Sequence, residues 1–194
     1  PYLIGHSLGG LLSLMYAARH PSLARGVVML DSPVLTGWKA RALRQRVMPS
    51  AISARRRVHW DSHAHALSHF AAKRKFARWD ERVLHDYLHA GLRPHAQGGV
   101  ELSFERHIET HIYDTVPHGL GRLLREHPLQ CPVAFVGGTR SRELRQVGLS
   151  GLRRLPGLRL RMVEGSHLYP MEKPAQTVQL VCELLDEMRG EAVR

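Results

Sequence analysis

The run Pro1-Tyr2-Leu3-Ile4-Gly5-His6-Ser7-Leu8-Gly9-Gly10 opens apolar, breaks at a glycine and passes without a linker into a helical pattern. It reads as a buried strand, a tight turn with Ser7 at its apex, and a helix. A serine at the apex of so sharp a turn has strained backbone angles, and only residues without a Cβ leave room on either side of it. Gly5 and Gly9 are expected to supply that room. The turn would lift the Ser7 hydroxyl out of the sheet at a helix N-terminus, where the Leu8 N–H points at negative charge forming on a substrate carbonyl. Ser7 is therefore the candidate nucleophile and the Leu8 N–H the candidate oxyanion donor, with Gly5, His6 and Gly9 framing the elbow. The plainer alternative is a glycine-rich βα turn of no chemical consequence. A strand before the pattern and an amphipathic helix after it favour the elbow.

Beyond the elbow, Leu11, Leu12, Leu14, Met15 and Ala18 recur at helical spacing until His20-Pro21 stops them. Val27-Val28-Met29-Leu30 has the look of a parallel strand buried on both faces, and it ends in Asp31-Ser32-Pro33. An acid at the C-terminal end of such a strand lies at the edge where open α/β sheets collect functional groups, although Asp31 would also suit a turn cap. Residues 132–136 form the next buried strand, closed by Gly137-Gly138. Residues 139–147 form a helix capped by Thr139 or Ser141, and residues 158–163 a final strand followed by Gly165-Ser166-His167. From 174 to 188, Val178, Val181, Leu184, Leu185 and Met188 make one helical face. Between 37 and 127 the pattern changes. Helices are expected over 38–48, over a basic 64–79, and over 80–90 with Asp80 as N-cap and Gly91 as stop. A short alternating run at 100–104, a helix from near Glu105 and another over 120–126 follow.

The G-x-S-x-G elbow, together with the late run Val163-Glu164-Gly165-Ser166-His167-Leu168-Tyr169-Pro170 before a terminal helix, resembles the α/β-hydrolase superfamily over nearly the whole chain. The resemblance implies a mostly parallel sheet flanked by helices, with residues 1–36 and 128–194 as core and 37–127 as a helical cap over the active site. It also implies the chain order nucleophile, acid, histidine, with His167 as the base that takes the Ser7 proton and a carboxylate holding its imidazole. Most relatives place that acid after the strand ending here at Gly138, yet Thr139-Arg140-Ser141 contains no aspartate. Asp31 matches the position used by the haloalkane dehalogenase branch and is favoured, with Glu143 as rival. A serine nucleophile fits an ester-type acyl substrate, in the manner of a carboxylesterase with no cofactor, and Trp38 would line the pocket. Relatives with the same triad also hydrolyse carbon–carbon bonds or carry out cofactor-free perhydrolysis. A reading from another class is a non-catalytic relative, or an inactive fragment acting as a binding module. In the superfamily the nucleophile follows the fifth strand, so the resemblance places the N-terminal strands and a second oxyanion donor upstream of Pro1. Tyr2 to Ile4 would then present an unpaired apolar edge, and the isolated chain is expected to aggregate.

Composition sets outer bounds. A chain of 194 residues with 43% hydrophobic content, and no apolar run near the ~18 residues of a membrane span, is a globular domain with a real core. The net charge of +11 and pI of about 10.6 would favour an anionic partner, but arginines spread over most segments and in no nucleic-acid module read as a solvated surface. No nucleic-acid partner is expected, and the oligomeric state is open. Cys131 and Cys182 read as small core residues, which points mildly to a cytoplasmic setting, while a signal peptide cannot be judged from this N-terminus. The pairs His65/His69, His85/His89 and His107/His111 have i, i+4 spacing, but none lies in a metal motif. In His107-Ile108-Glu109-Thr110-His111 the glutamate is one place from the H-E-x-x-H order. No metal is expected.

Overall fold

The computed structural model describes residues 1–34, 49–117, 119–155 and 157–191. Strand β1 (Tyr2–His6) leads through Ser7 into helix α1 (Leu8–Arg19), and β2 (Gly26–Leu30) follows. The middle of the chain carries α2 (Pro49–Ala54), β3 (His59–Trp60), α3 (His63–Ala71), a 3-10 turn at Phe76–Arg78, α4 (Glu81–Gly91), β4 (Leu92–Pro94), β5 (Val100–Leu102) and α5 (Arg106–Asp114). The last third holds α6 (Leu120–Glu126), β6 (Val133–Gly138), α7 (Arg142–Val147), a 3-10 turn at Leu152–Arg154, β7 (Arg159–Val163), α8 (Tyr169–Glu172) and α9 (Pro174–Glu191). Contacts divide the chain into two compact units, Pro1–Ala42 with Pro117–Arg194, and Leu43–Val116. The expected helix over 38–48 and the pocket role of Trp38 fall outside the described residues.

The first unit is built on a parallel sheet in the order β1-β2-β6-β7. His6 is level with Leu30, Leu30 with Val136, and Gly138 with Val163, so the carboxyl ends of the strands share one edge. Every residue of β2 and β6 is buried, as continuous apolar runs in a sheet covered on both faces require. Strand β1 stands at one end of the sheet, with Ile4 49% exposed. Helix α1 packs on β1 and β2 through Leu11, Leu14, Met15 and Ala18, while Leu12 faces outward. Helix α6 packs on α1 and buries Leu120 and Leu123, so the chain rejoins the first unit at Pro117 and not at residue 128.

Helix α9 corrects two readings. Its buried positions are Thr177, Leu184 and Met188 with Val181 half-buried, steps of four, three and four residues. Val178 and Cys182 each lie one residue further round, about 100° from that stripe, and both are exposed. Cys131, two residues before β6 begins, is only half-buried. Neither cysteine is the core residue that its apolar neighbours imply.

The second unit packs helices with a three-stranded antiparallel sheet in the order β3-β5-β4, whose short outer strands the sequence does not reveal. Its core is aromatic, with Trp60, Phe70 and Phe76 buried among Leu84, Leu88 and Leu102. The basic stretch 64–79 is not one helix. Ser62 caps α3 by accepting from the His65 N–H, α3 ends at Ala71, and the break lets Phe70 and Phe76 meet edge to face at 4.9 Å. Lys73 and Lys75 lie over those two rings at 5.1 and 4.7 Å. Asp80 does cap α4, accepting from the Arg82 and Val83 N–H groups. Gly91 closes that helix, but the chain runs straight on into β4.

Candidate active site

Ser7 occupies the turn between β1 and α1 with φ 53° and ψ −120°, a left-handed value that a residue with a Cβ adopts only under constraint. The constraint is close packing of strand against helix. A Cβ on Gly5 would stand 2.3 Å from the Gly9 carbonyl carbon, and one on Gly10 would stand 2.0 Å from Ser32 Oγ and 2.6 Å from the Gly5 oxygen. A Cβ on Gly9 would meet nothing within 4 Å. The room is thus needed at Gly5 and Gly10, not at Gly9. The Ser7 N–H donates to the Leu30 carbonyl at 2.9 Å, pinning the apex to the neighbouring strand. Leu8 is the first residue of α1, where a backbone N–H has no partner within the helix.

Three side chains from separate strand ends meet here. Ser7 Oγ lies 2.9 Å from His167 Nε2, and His167 Nδ1 lies 2.6 Å from Asp31 Oδ2. With Nδ1–H donating to the carboxylate, Nε2 is left to accept from the serine hydroxyl. The Asp31 side chain is fully buried, and its backbone also takes a positive φ of 48°. Its Oδ1 accepts from the Gly138 N–H at 2.8 Å, and its Oδ2 also accepts from Ser141 Oγ at 2.6 Å. Burial pushes the Asp31 pKa up, but the hydrogen bonds from His167, Ser141 and Gly138 outweigh it and hold the carboxyl below its ordinary value. Glu143 is exposed, and among the described residues its carboxylate has a hydrogen-bond contact with Ser141 Oγ alone, at 3.5 Å, so the carboxylate beside His167 is Asp31.

The histidine loop is tied down on several sides. Ser166 donates from its backbone N–H to Glu172 Oε2 at 3.0 Å and from its hydroxyl to Glu172 Oε1. Tyr169, fully buried, donates its hydroxyl to the Val136 carbonyl at 3.1 Å, and burial raises its phenol pKa. His6 donates from Nε2 to the His167 carbonyl at 2.7 Å. Sequence reasoning finds Ser141 only as a helix cap, a role it has through the Leu144 N–H, and misses its bond to Asp31. It also misses Gly10, the Gly138 N–H and Glu172. The doubled Gly9-Gly10 is the one signal that pointed to any of them.

Elsewhere two of the three histidine pairs have a member set against a carboxylate. His65 Nδ1 meets Asp61 at 2.7 Å, His107 Nδ1 meets Glu105 at 3.2 Å, and His85 and His89 are exposed on α4. Among the described residues no group of three or more His, Cys, Asp or Glu is placed to hold a metal ion. No helix among them is long and apolar enough to cross a membrane.

The profile of the α/β hydrolase fold matches residues 1–174. The chain belongs to the α/β-hydrolase fold family. Solved structures agree on that fold. This α/β hydrolase is similar to the Saccharomyces cerevisiae peroxisomal α/β-hydrolase Lpx1, with TM-score 0.76 and 19% identity over 95% of this chain and 52% of that one. It is also similar to the Mycobacterium tuberculosis esterase Rv0045c, with TM-score 0.66 and 23% identity over 95% and 60% of the two chains. A third is the thioesterase domain from the curacin biosynthetic pathway, with TM-score 0.71 and 18% identity over 93% and 66%. The chain spans about half to two thirds of the length of these structures. No curated protein matches it in sequence.

Proposed function

We propose that this α/β hydrolase is a serine hydrolase acting on ester-type acyl substrates, with Ser7 as nucleophile, His167 as base and Asp31 as the acid that orients it. One observation carries the reading: Ser7 Oγ is 2.9 Å from the ring nitrogen of a histidine whose other nitrogen is held at 2.6 Å by a fully buried carboxylate. Ser7 Oγ attacks the acyl carbon as His167 Nε2 takes its proton, and Asp31 stabilises the imidazolium that forms. The Leu8 N–H at the start of α1 faces the tetrahedral oxyanion. Collapse expels the alcohol, which takes the proton from His167, and water activated by the same imidazole releases the acid. The depressed Asp31 pKa keeps the carboxylate ionised throughout the neutral range.

The second unit enters the chain between β2 and β6, which are neighbours in the sheet, and so is an insertion between core strands. By that place in the chain we read it as the cap that selects the substrate. Relatives named as esterases, a thioesterase and a hydrolase of (E)-2-(acetamidomethylene)succinate support hydrolytic chemistry and leave the acyl group open.

The test is intact mass after incubation with a fluorophosphonate, using the protein in its longest natural form. One adduct is expected, absent from Ser7→Ala, followed by turnover of a short-chain p-nitrophenyl ester. A folded protein that gains no adduct would overturn the reading in favour of a non-catalytic relative.

A further inference from the structure

His6 sits immediately before the nucleophile, and its side chain turns to the backbone of the histidine loop. We propose that His6 is a positioning residue: by donating from Nε2 to the main-chain carbonyl of His167, it locks the histidine loop to the elbow and sets the Ser7–His167 distance. The inference rests on the reading of Ser7 and His167 as nucleophile and base.

The geometry closes a small ring. His6 and Ser7 are joined by one peptide bond. The Ser7 hydroxyl reaches His167 Nε2 at 2.9 Å, and the His6 ring reaches the His167 carbonyl at 2.7 Å. The imidazole is thus held from its backbone as well as from its tip. The two rings also lie against each other, with centroids 4.7 Å apart and planes tilted by 41°. Asp31 fixes the orientation of the His167 ring about its own axis, but a carboxylate at Nδ1 does not stop the loop from sliding away from the elbow. Glu172 and Tyr169 secure the loop to α8 and β6. Among the bonds described, that of His6 is the one between the histidine loop and a β1 side chain.

The bond requires a proton on His6 Nε2, because a carbonyl only accepts. The groups that act on His6 are His167, Asp31 and Glu143. Burial lowers the His6 pKa most; the hydrogen bond to His167 raises it and the His167 charge lowers it, and the net shift is downward. His6 is then neutral at neutral pH, as its place demands. A second imidazolium against the His167 ring would oppose the charge that His167 takes up in the reaction.

Two variants separate the bond from the bulk. His6→Phe keeps an aromatic ring against His167 and removes the donor, whereas His6→Gln restores a donor near the Nε2 position. With melting temperatures near that of the wild type, His6→Phe is expected to lower kcat and the rate of fluorophosphonate labelling by about 10- to 100-fold with KM little changed, the scale of a nucleophile and base held slightly out of register. His6→Gln is expected to recover most of that loss. A wild type that labels normally with His6→Phe equally fast, or with His6→Gln as slow as His6→Phe, would overturn the proposal while leaving Ser7 as nucleophile. A wild type that does not label at all would overturn the Ser7 reading, and this proposal with it.

Discussion

In the parallel sheet, the side chains just beyond the strand ends find polar partners at short range, Ser7 with His167 at 2.9 Å and Asp31 with both His167 and Ser141 at 2.6 Å. In the aromatic core of the second unit, Trp60 Nε1, His69 Nε2 and Trp79 Nε1 are buried with no hydrogen-bond partner among the described residues. Both regions bury polar atoms, but they use them differently. At the sheet edge, backbone N–H groups and hydroxyls hold each functional group in one orientation, which is what chemistry on a fixed geometry requires. In the second unit the rings supply packing area, and their polar atoms are carried along at some cost.

Substitutions on the two sides should therefore behave unlike one another. The largest effect is expected from Asp31→Asn, which keeps the shape but holds His167 in the wrong tautomer. Ester turnover should fall by about three to four orders of magnitude with little change in folding, as steady-state kinetics and a thermal melt would show. Next is Gly10→Ala, whose new Cβ would meet Ser32 Oγ and the Gly5 carbonyl. It should cost about 3 kcal/mol in urea unfolding, whereas Gly9→Ala, with open space for its Cβ on a helix, should gain up to about 1 kcal/mol. Equal losses at both glycines would contradict the packing described at the elbow.

Ser141→Ala removes both a donor to Asp31 and the cap of α7, and is expected to destabilise by about 2 kcal/mol while slowing turnover by about tenfold. Acid should act on the same edge. The pKa values of His6 and Asp31 are both lowered in the folded chain, so on acidification the unfolded state takes up protons first. Stability is then lost as pH falls below about 6.5 on account of His6 and below about 4 on account of Asp31, until the folded groups protonate in turn. Urea midpoints across pH 3 to 8 should show both steps, and His6→Gln should shrink the upper one, leaving the part that comes from His69, whose pKa burial also lowers. The smallest effect is expected on the other side. Trp79→Phe discards a buried N–H that has no partner among the described residues, which offsets the lost ring area, so stability should change by less than about 1 kcal/mol and turnover not at all. A large loss there would mean that the indole N–H is satisfied in solution.

The sequence alone carried the elements of the first unit because parallel strands covered on both faces are continuous apolar runs, and a strained elbow demands glycine beside it. Ser7, the loop bearing His167, and the strand ending at Asp31 are legible for those reasons. The second unit was legible only in part. Strands of two and three residues, such as β3 and β4, are too short to show a period, and the break at Ala71 is decided by where Phe70 and Phe76 meet. On α9 the periodicity announced a buried face, but a rotation of one residue separated Val178 and Cys182 from it.

Choosing between Asp31 and Glu143 lay beyond any local pattern, since it depends on which carboxylate the register of β2, β6 and β7 brings to His167. The same holds for Ser141, Gly10 and His6, whose nearest partners Asp31, Ser32 and His167 are 110, 22 and 161 residues away in the chain. Local sequence determined which groups could do chemistry, because backbone strain and hydrophobic period are short-range properties. The tertiary structure decided which of them meet, because hydrogen bonds across a sheet edge exist only once the strands are in register.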